Sequence, residues 1–180
     1  MKLLRMLSSV LLLQLFITPS VPAKATPSAD EVKAVYLGTT NIFNKAKIAE
    51  LEHILDTTSA NGIVIDVKDS NALSQDYIRE LVQRFKNKGV YTIARVVTFQ
   101  DSYFAKRNPG IAVKNSAGGM WYSGRAVWQR YWLDPASSLA QDYNIEVALR
   151  AVDAGFDEIQ FDYVRFASDG LEAAELAMSA

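Results

Sequence analysis

The side chains best placed to do chemistry lie in Phe156-Asp157-Glu158-Ile159-Gln160-Phe161-Asp162-Tyr163-Val164-Arg165-Phe166. Strand side chains alternate faces, so Ile159 and Phe161 fall on one side and Gln160 and Asp162 on the other. A Gln and an Asp on the inner face of a sheet are costly to bury unless something uses them. Asp162 comes where the strand ends, with Tyr163 and Arg165 just beyond it. In α/β folds the carboxyl ends of strands carry the chemistry. A carboxylate there can act as a nucleophile or stabilise an oxocarbenium-like transition state. The structural alternative is an Asp that caps the following turn or pairs with Arg165. Arg95 and Arg165 are the cations expected to keep Asp162 ionised, since a nearby positive charge favours the anion.

Two further groups accompany it. Asp66-Val67-Lys68-Asp69 closes an earlier strand, with Asp66 and Lys68 on one face. They could form an internal ion pair or, together with Asp69, a polar rim that hydrogen-bonds substrate hydroxyls. The segment from Thr98 to Pro135 holds all three tryptophans, Trp121, Trp128 and Trp132, along with Tyr103, Phe104, Tyr122 and Tyr131. A structureless loop of that length is usually functional. Exposed aromatic faces suit the apolar faces of sugar rings, with Trp121 and Trp132 as candidates, whereas buried ones would tie the loop down. Asp134 is a rim ligand or a helix cap. His53 is the sole histidine, placed in a helix away from every strand end, and Cys is absent. A His-based triad and a zinc site are therefore not expected. An all-carboxylate Mg or Ca site of Asp66, Asp69 and Asp162 is the remaining metal alternative, without a recognised loop spacing, and neither metal nor cofactor is expected.

These groups need a scaffold, and the hydrophobic pattern supplies one. Strands are predicted at Val32–Leu37, Ile63–Val67, Val90–Val97 and Glu158–Asp162, and helices at Asn44–Thr58, Ser74–Lys88 and Ser137–Ala154. The order is strand, helix, strand, helix, strand, long loop, helix, strand. Such alternation means a parallel sheet with covering helices. Gly38-Thr39-Thr40-Asn41 lacks a dinucleotide fingerprint, and polar residues recur near strand ends. The pattern thus predicts an α/β fold, a partial (β/α)8 TIM barrel of about four parallel strands. A full barrel takes ~250 residues, so residues 32–180 are read as an N-terminal half, a fragment or a truncated product.

The chain has 180 residues, 49% hydrophobic and 22% charged, with net charge −1. That is a globular composition and offers no electrostatic reason for a nucleic-acid partner. Residues 1–25 are read as an export signal: Lys2 and Arg5, an apolar run from Leu7 to Ile17, and Ala23-Lys24-Ala25 as a cleavage site. The run is short of the ~20 residues of a membrane span. Residues 26–31 are a polar lead-in, and no membrane association is expected after cleavage.

Gly62 to Asp69, Tyr91 to Val97, Trp132 to Pro135 and Gly155 to Gly170 resemble a bacterial family of glycoside-hydrolase-like proteins. That family was long known only as a domain of unknown function, and it is distantly similar to α-amylase-type (β/α)8 barrels. The resemblance runs from about Val32 to Gly170, and Phe-Asp-Tyr-Val-Arg-Phe is its most specific part. Ala167 departs from it, because the family usually has Pro there. The resemblance implies a hydrolase of O-glycosidic bonds, and with the export signal it gives an exported enzyme acting on a polysaccharide or cell-wall glycan. Asp162 would be the nucleophile-type carboxylate, and its acid partner would lie on a later strand, beyond Ala180. A non-catalytic carbohydrate-binding or cell-wall module on the same fold, and an inactive truncated remnant, are the rival expectations.

Overall fold

The computed structural model describes residues 25–68, 74–124, 129–167 and 176–177. Most of the expected export signal, Asp69 and Trp128 lie outside them. Four parallel strands form the main sheet: β1 (Ala34–Leu37), β2 (Gly62–Asp66), β3 (Tyr91–Val97) and β7 (Glu158–Asp162). Their order, β1-β2-β3-β7, follows the chain without reversal. A doubly wound sheet would change direction at a switch point; sequential winding is that of a barrel.

Three helices cover the outer face: α1 (Lys45–Thr57), α2 (Gln75–Lys86) and α4 (Ser138–Ala154). Each starts where the sequence places a cap. The Asn44 side chain accepts from Ala46 N and Lys47 N at 3.1 Å, Ser74 from Tyr77 N at 3.2 Å and Ser137 from Ala140 N at 3.4 Å. Gly155, at φ 94°, stops α4 in a left-handed conformation that a side chain resists. Leu51 and Leu55 of α1, Val82 and Phe85 of α2, and Ala151 and Ala154 of α4 close over Ile63, Ile65 and Ala94 of the sheet. Ile63, Ile65 and Ala94 are wholly buried, so this layer fixes which faces of β2 and β3 point the other way.

The stretch from Thr98 to Pro135 is not the structureless loop its composition suggests. It holds α3 (Ser102–Arg107), a 3-10 turn at Pro109–Ile111, and the short strands β4 (Lys114–Asn115), β5 (Tyr122–Ser123) and β6 (Arg130–Tyr131). β5 pairs with β6, and β4 with β8 (Leu176–Ala177). A second core holds the module together: Phe99, Ala105, Val113, Trp121, Trp132, Leu133 and Ala167. Ala167 is 5% exposed, so the position where the family usually carries Pro is a packed one.

β7 corrects a second expectation. Gln160 is exposed rather than buried, Phe161 is 47% exposed, and Asp162 is half-buried. The reason is position: among the described strands β7 is paired only with β3, and neither of its faces is fully covered.

Candidate functional site

The face of the sheet turned from the helices carries Tyr36, Asp66, Arg95 and Asp162. Asp66 lies directly across from Arg95, and Val97 across from Asp162. Asp162 is thus a diagonal neighbour of Arg95, within reach of a long side chain. Arg95 uses that reach to bridge two carboxylates. Its Nη1 donates to Asp66 Oδ1 at 2.8 Å, while Nη2 and Nε donate to Asp162 Oδ2 at 2.6 and 2.9 Å. The Tyr36 hydroxyl donates to the other Asp66 oxygen. Both oxygens of Asp66 are therefore engaged.

Asp162 accepts more bonds than Asp66 but is the more open of the two, its side chain 41% exposed against 11%. Its Oδ1 accepts a single bond, from Tyr163 N at 2.7 Å. Tyr163 has φ 54°, the one non-glycine residue in the left-handed region among those described. That conformation costs on the order of 1–2 kcal/mol, and such strain collects at functional sites. Here it turns the backbone N–H onto the carboxylate, while the Tyr163 ring packs edge-on to Trp132 at 5.8 Å.

The electrostatics follow from these contacts. Partial burial alone would raise the Asp162 pKa. The Arg95 bonds, the Tyr163 N–H and the charges of Arg95 and Arg165 outweigh it and hold the carboxyl below its ordinary value. Burial opposes the Arg95 charge as well, yet its bonds to Asp66 and Asp162 raise its pKa. Burial first, then the bond to Asp66, pushes the Tyr36 hydroxyl up to about 12, so it remains a donor.

Lys68 belongs to a different arrangement from the one expected. It does not pair with Asp66, which is held by Arg95. Its ammonium is 3% exposed, lies 3.1 Å from Asp101 Oδ2, and donates to Asn144 Oδ1 at 2.7 Å and to Thr98 O. Those three acceptors use all three of its protons. Burial lowers its pKa to about 8 against the opposing pull of Asp101. Asp101 Oδ1 caps α3 through Phe104 N at 2.8 Å. Lys68 therefore pins the start of the module to the sheet and to α4, and has no donor left for substrate.

Above these groups opens a cavity of about 500 Å³ lined by Tyr36, Asp66, Lys68, Arg95, Gln100, Asp101, Tyr103, Arg130 and Tyr163, among others. Asp162 borders a shallower hollow with Phe161, Val164 and Arg165, and Tyr163 faces both spaces. The two tryptophans named as sugar platforms are core residues instead. Trp121 is 3% exposed and Trp132 wholly buried, its indole N–H bonded to Ser123 Oγ at 3.0 Å. Both rings are buried within the second core, and tyrosines supply the aromatic surface of the cavity. Asp134 accepts from Ala136 N at 2.9 Å and does not line the cavity. Arg165 lies 5.0 Å over the Trp132 ring and acts on Asp162 through its charge, while the direct ion pair is made by Arg95. His53 sits exposed on α1.

Tyr36, Gln100, Asp101 and Arg130 escaped the sequence reading, whereas Tyr103, one of the aromatics it placed in the long loop, does line the cavity. Tyr36 carried a signal, since it alternates with buried Leu37 at the end of β1. Asp101 and Arg130 carried none, because the module that places them has no periodic pattern. Among the described residues no group of three His, Cys, Asp or Glu side chains is arranged to hold a metal. The guanidinium of Arg95 already occupies the space between Asp66 and Asp162.

Residues 70–179 match the profile of a protein family described as "Putative glycosyl hydrolase domain". No curated protein matches the chain. Among solved structures, the chain is similar to a hypothetical protein from Ruminiclostridium thermocellum ATCC 27405, with a TM-score of 0.68, 26% identity and 81% of each chain covered. It is similar in fold to the α-galactosidase from Lactobacillus brevis, with a TM-score of 0.57 and 18% identity over 83% of this chain and 22% of that one. A GH31 α-xylosidase from a soil metagenome, complexed with xylose, gives 0.58 and 15% over 87% and 25%. At these identities the two glycosidases bear on fold alone. They agree with a partial (β/α)8 barrel, of which this chain supplies four successive strands. The chain spans a quarter or less of either glycosidase.

Proposed function

The chain belongs to that glycosyl hydrolase family, and from this premise we propose that it is an exported glycoside-hydrolase-like barrel domain. It acts on a polysaccharide or cell-wall glycan, with Asp162 as its key carboxylate. The observation that carries the reading is the state of Asp162 at the end of β7. One oxygen is clamped by Arg95, the other accepts a single backbone N–H, and the group is held ionised at the edge of an open hollow. An anionic oxygen of that kind suits attack on, or stabilisation of, a sugar carbon that gains positive charge as its glycosidic bond breaks. Asp66, fully engaged by Arg95 and Tyr36, orients the guanidinium. Tyr163 and the tyrosine-lined cavity offer ring faces to a sugar.

Glycoside hydrolysis also needs a proton donor for the leaving oxygen. Asp66 and Asp101 have both oxygens committed and, unlike Asp162, side chains only 11% and 10% exposed. The acid is therefore assigned to residues outside those described, in this chain or in a longer protein that contains it. The n-region at Lys2 and Arg5 and the small residues Ala23 and Ala25 support export, with cleavage near Ala25. Sequencing the N-terminus of the mature protein tests that part directly, and an intact Met1 would refute it.

A non-catalytic glycan-binding module is the second reading, favoured by the lack, among the described residues, of an uncommitted second carboxylate near Asp162. The two part on turnover. Incubation with plant, bacterial and fungal glycans, scored for new reducing ends, should release sugar if the domain is hydrolytic. Binding to a glycan without release from any of them would favour the module.

A further inference from the structure

The cavity beside Arg95 is uneven in its hydrogen-bonding capacity, and that unevenness points to a class of ligand. The charges beside it are already engaged. Arg95 is held between Asp66 and Asp162, one cation between two anions, and Lys68 is matched by Asp101. Groups that remain without a side-chain partner among the described residues are Gln100, the hydroxyls of Tyr103 and Tyr163, and the guanidinium of Arg130. Nearly all of these donate. Gln100 contributes an acceptor and the hydroxyls keep lone pairs, but five N–H groups come from Arg130 alone. A wall built for a neutral sugar would balance donors with carboxylate acceptors, because each sugar hydroxyl gives as well as takes a hydrogen bond. In this wall the lining carboxylates Asp66 and Asp101 are bonded to protein cations, and the guanidinium of Arg130 is the open charge.

We propose that this cavity is a subsite for a sugar bearing an oxyanion substituent, a carboxylate or a sulfate, with Arg130 as its principal ligand. The inference rests on reading the cleft as a glycan site and narrows the substrate to acidic glycans. A planar guanidinium matches a carboxylate or sulfate edge with two parallel bonds, a geometry that a lysine cannot reproduce. Arg130 stands exposed on β6, paired with β5, and its neighbours Tyr131 and Trp132 and the Trp121 that precedes β5 pack in the second core. The charge is thus presented from a packed ribbon rather than from a free loop.

Isothermal titration of the full chain with tetragalacturonate, a sulfated carrageenan tetrasaccharide and neutral cellotetraose tests this without requiring turnover. The acidic tetramers should bind at least tenfold more tightly than cellotetraose, and their affinity should fall as salt rises from 50 to 200 mM. A preference between the two acidic tetramers identifies carboxylate or sulfate as the natural group. Arg130→Gln should weaken acidic binding about tenfold and leave cellotetraose unchanged, with Arg130→Lys falling between. Equal affinity for the neutral tetramer, no binding of either acidic one, or an Arg130→Gln variant that folds and binds like the parent would each overturn the proposal. Acidic binding with no sugar release from any glycan would instead count against hydrolysis and leave the subsite standing.

Discussion

Replacing Lys68 by Met probes the joint that carries the module, and it makes a prediction of unusual sign. The ammonium is 3% exposed, and burial lowers its pKa from 10.5 to about 8. Between those values the unfolded chain holds the proton and the folded chain does not. Stability therefore rises with pH across that window. Below about pH 8 both states are protonated and the penalty is present in full; above 10.5 it is gone. The separation corresponds to about 3 kcal/mol. Met cannot titrate, and it leaves Asp101, Asn144 Oδ1 and Thr98 O without their shared donor. Breaking a buried ion pair in this way costs about 3–5 kcal/mol. Urea unfolding of both proteins at fixed pH from 7 to 10 should show the parent more stable at pH 7, with its advantage growing by up to about 3 kcal/mol towards pH 10. Other titrating groups cancel in the difference, since Tyr143 beside Lys68 is itself pushed up to about 12, chiefly by burial. Parallel pH profiles for the two proteins would refute the assignment of Lys68 as a buried, strained cation. Adding Asp101→Asn to the Met variant should recover part of the loss.

Two other perturbations test separate parts of the structure. Arg95→Met leaves Asp66 and Asp162 facing each other without their cation, so the Asp162 carboxyl should titrate at higher pH than in the parent; carbon-13 NMR of labelled aspartate measures this, and an unmoved resonance would show that Arg95 does not set its charge. Trp132→Ala empties the centre of the second core and should cost about 3–5 kcal/mol in chemical denaturation, whereas a cost below ~1 kcal/mol would return the ring to the role of surface platform.

How far the sequence could be read depended on whether a residue's neighbours are local. The three long helices and four main strands appear within two residues of their predicted ends, because caps such as Asn44, Ser74 and Ser137 and the stop at Gly155 are local signals. Barrel-type winding was legible from strand–helix alternation with polar residues at strand ends. Arg95 as partner of Asp162 was legible too, since both lie on one face near the ends of adjacent strands. Burial in the module was not. Trp121 and Trp132 look like exposed loop aromatics until Phe99, Val113 and Leu133 are brought around them by two-residue strands that leave no periodic trace. Lys68 was misassigned for a related reason. Its partners Asp101 and Asn144 are 33 and 76 residues away, whereas Asp66 is two residues away but bonds to Arg95.

The central claim is that the Asp162 anion does the chemistry and the rest of the site holds it in place. Asp162→Asn keeps the side chain's size, removes the charge and replaces one acceptor oxygen by an NH2 group. Measured against the glycan that the parent cleaves best, this variant should bind with little change and release sugar at least ~10³-fold more slowly. A variant that turns over within tenfold of the parent would contradict the account.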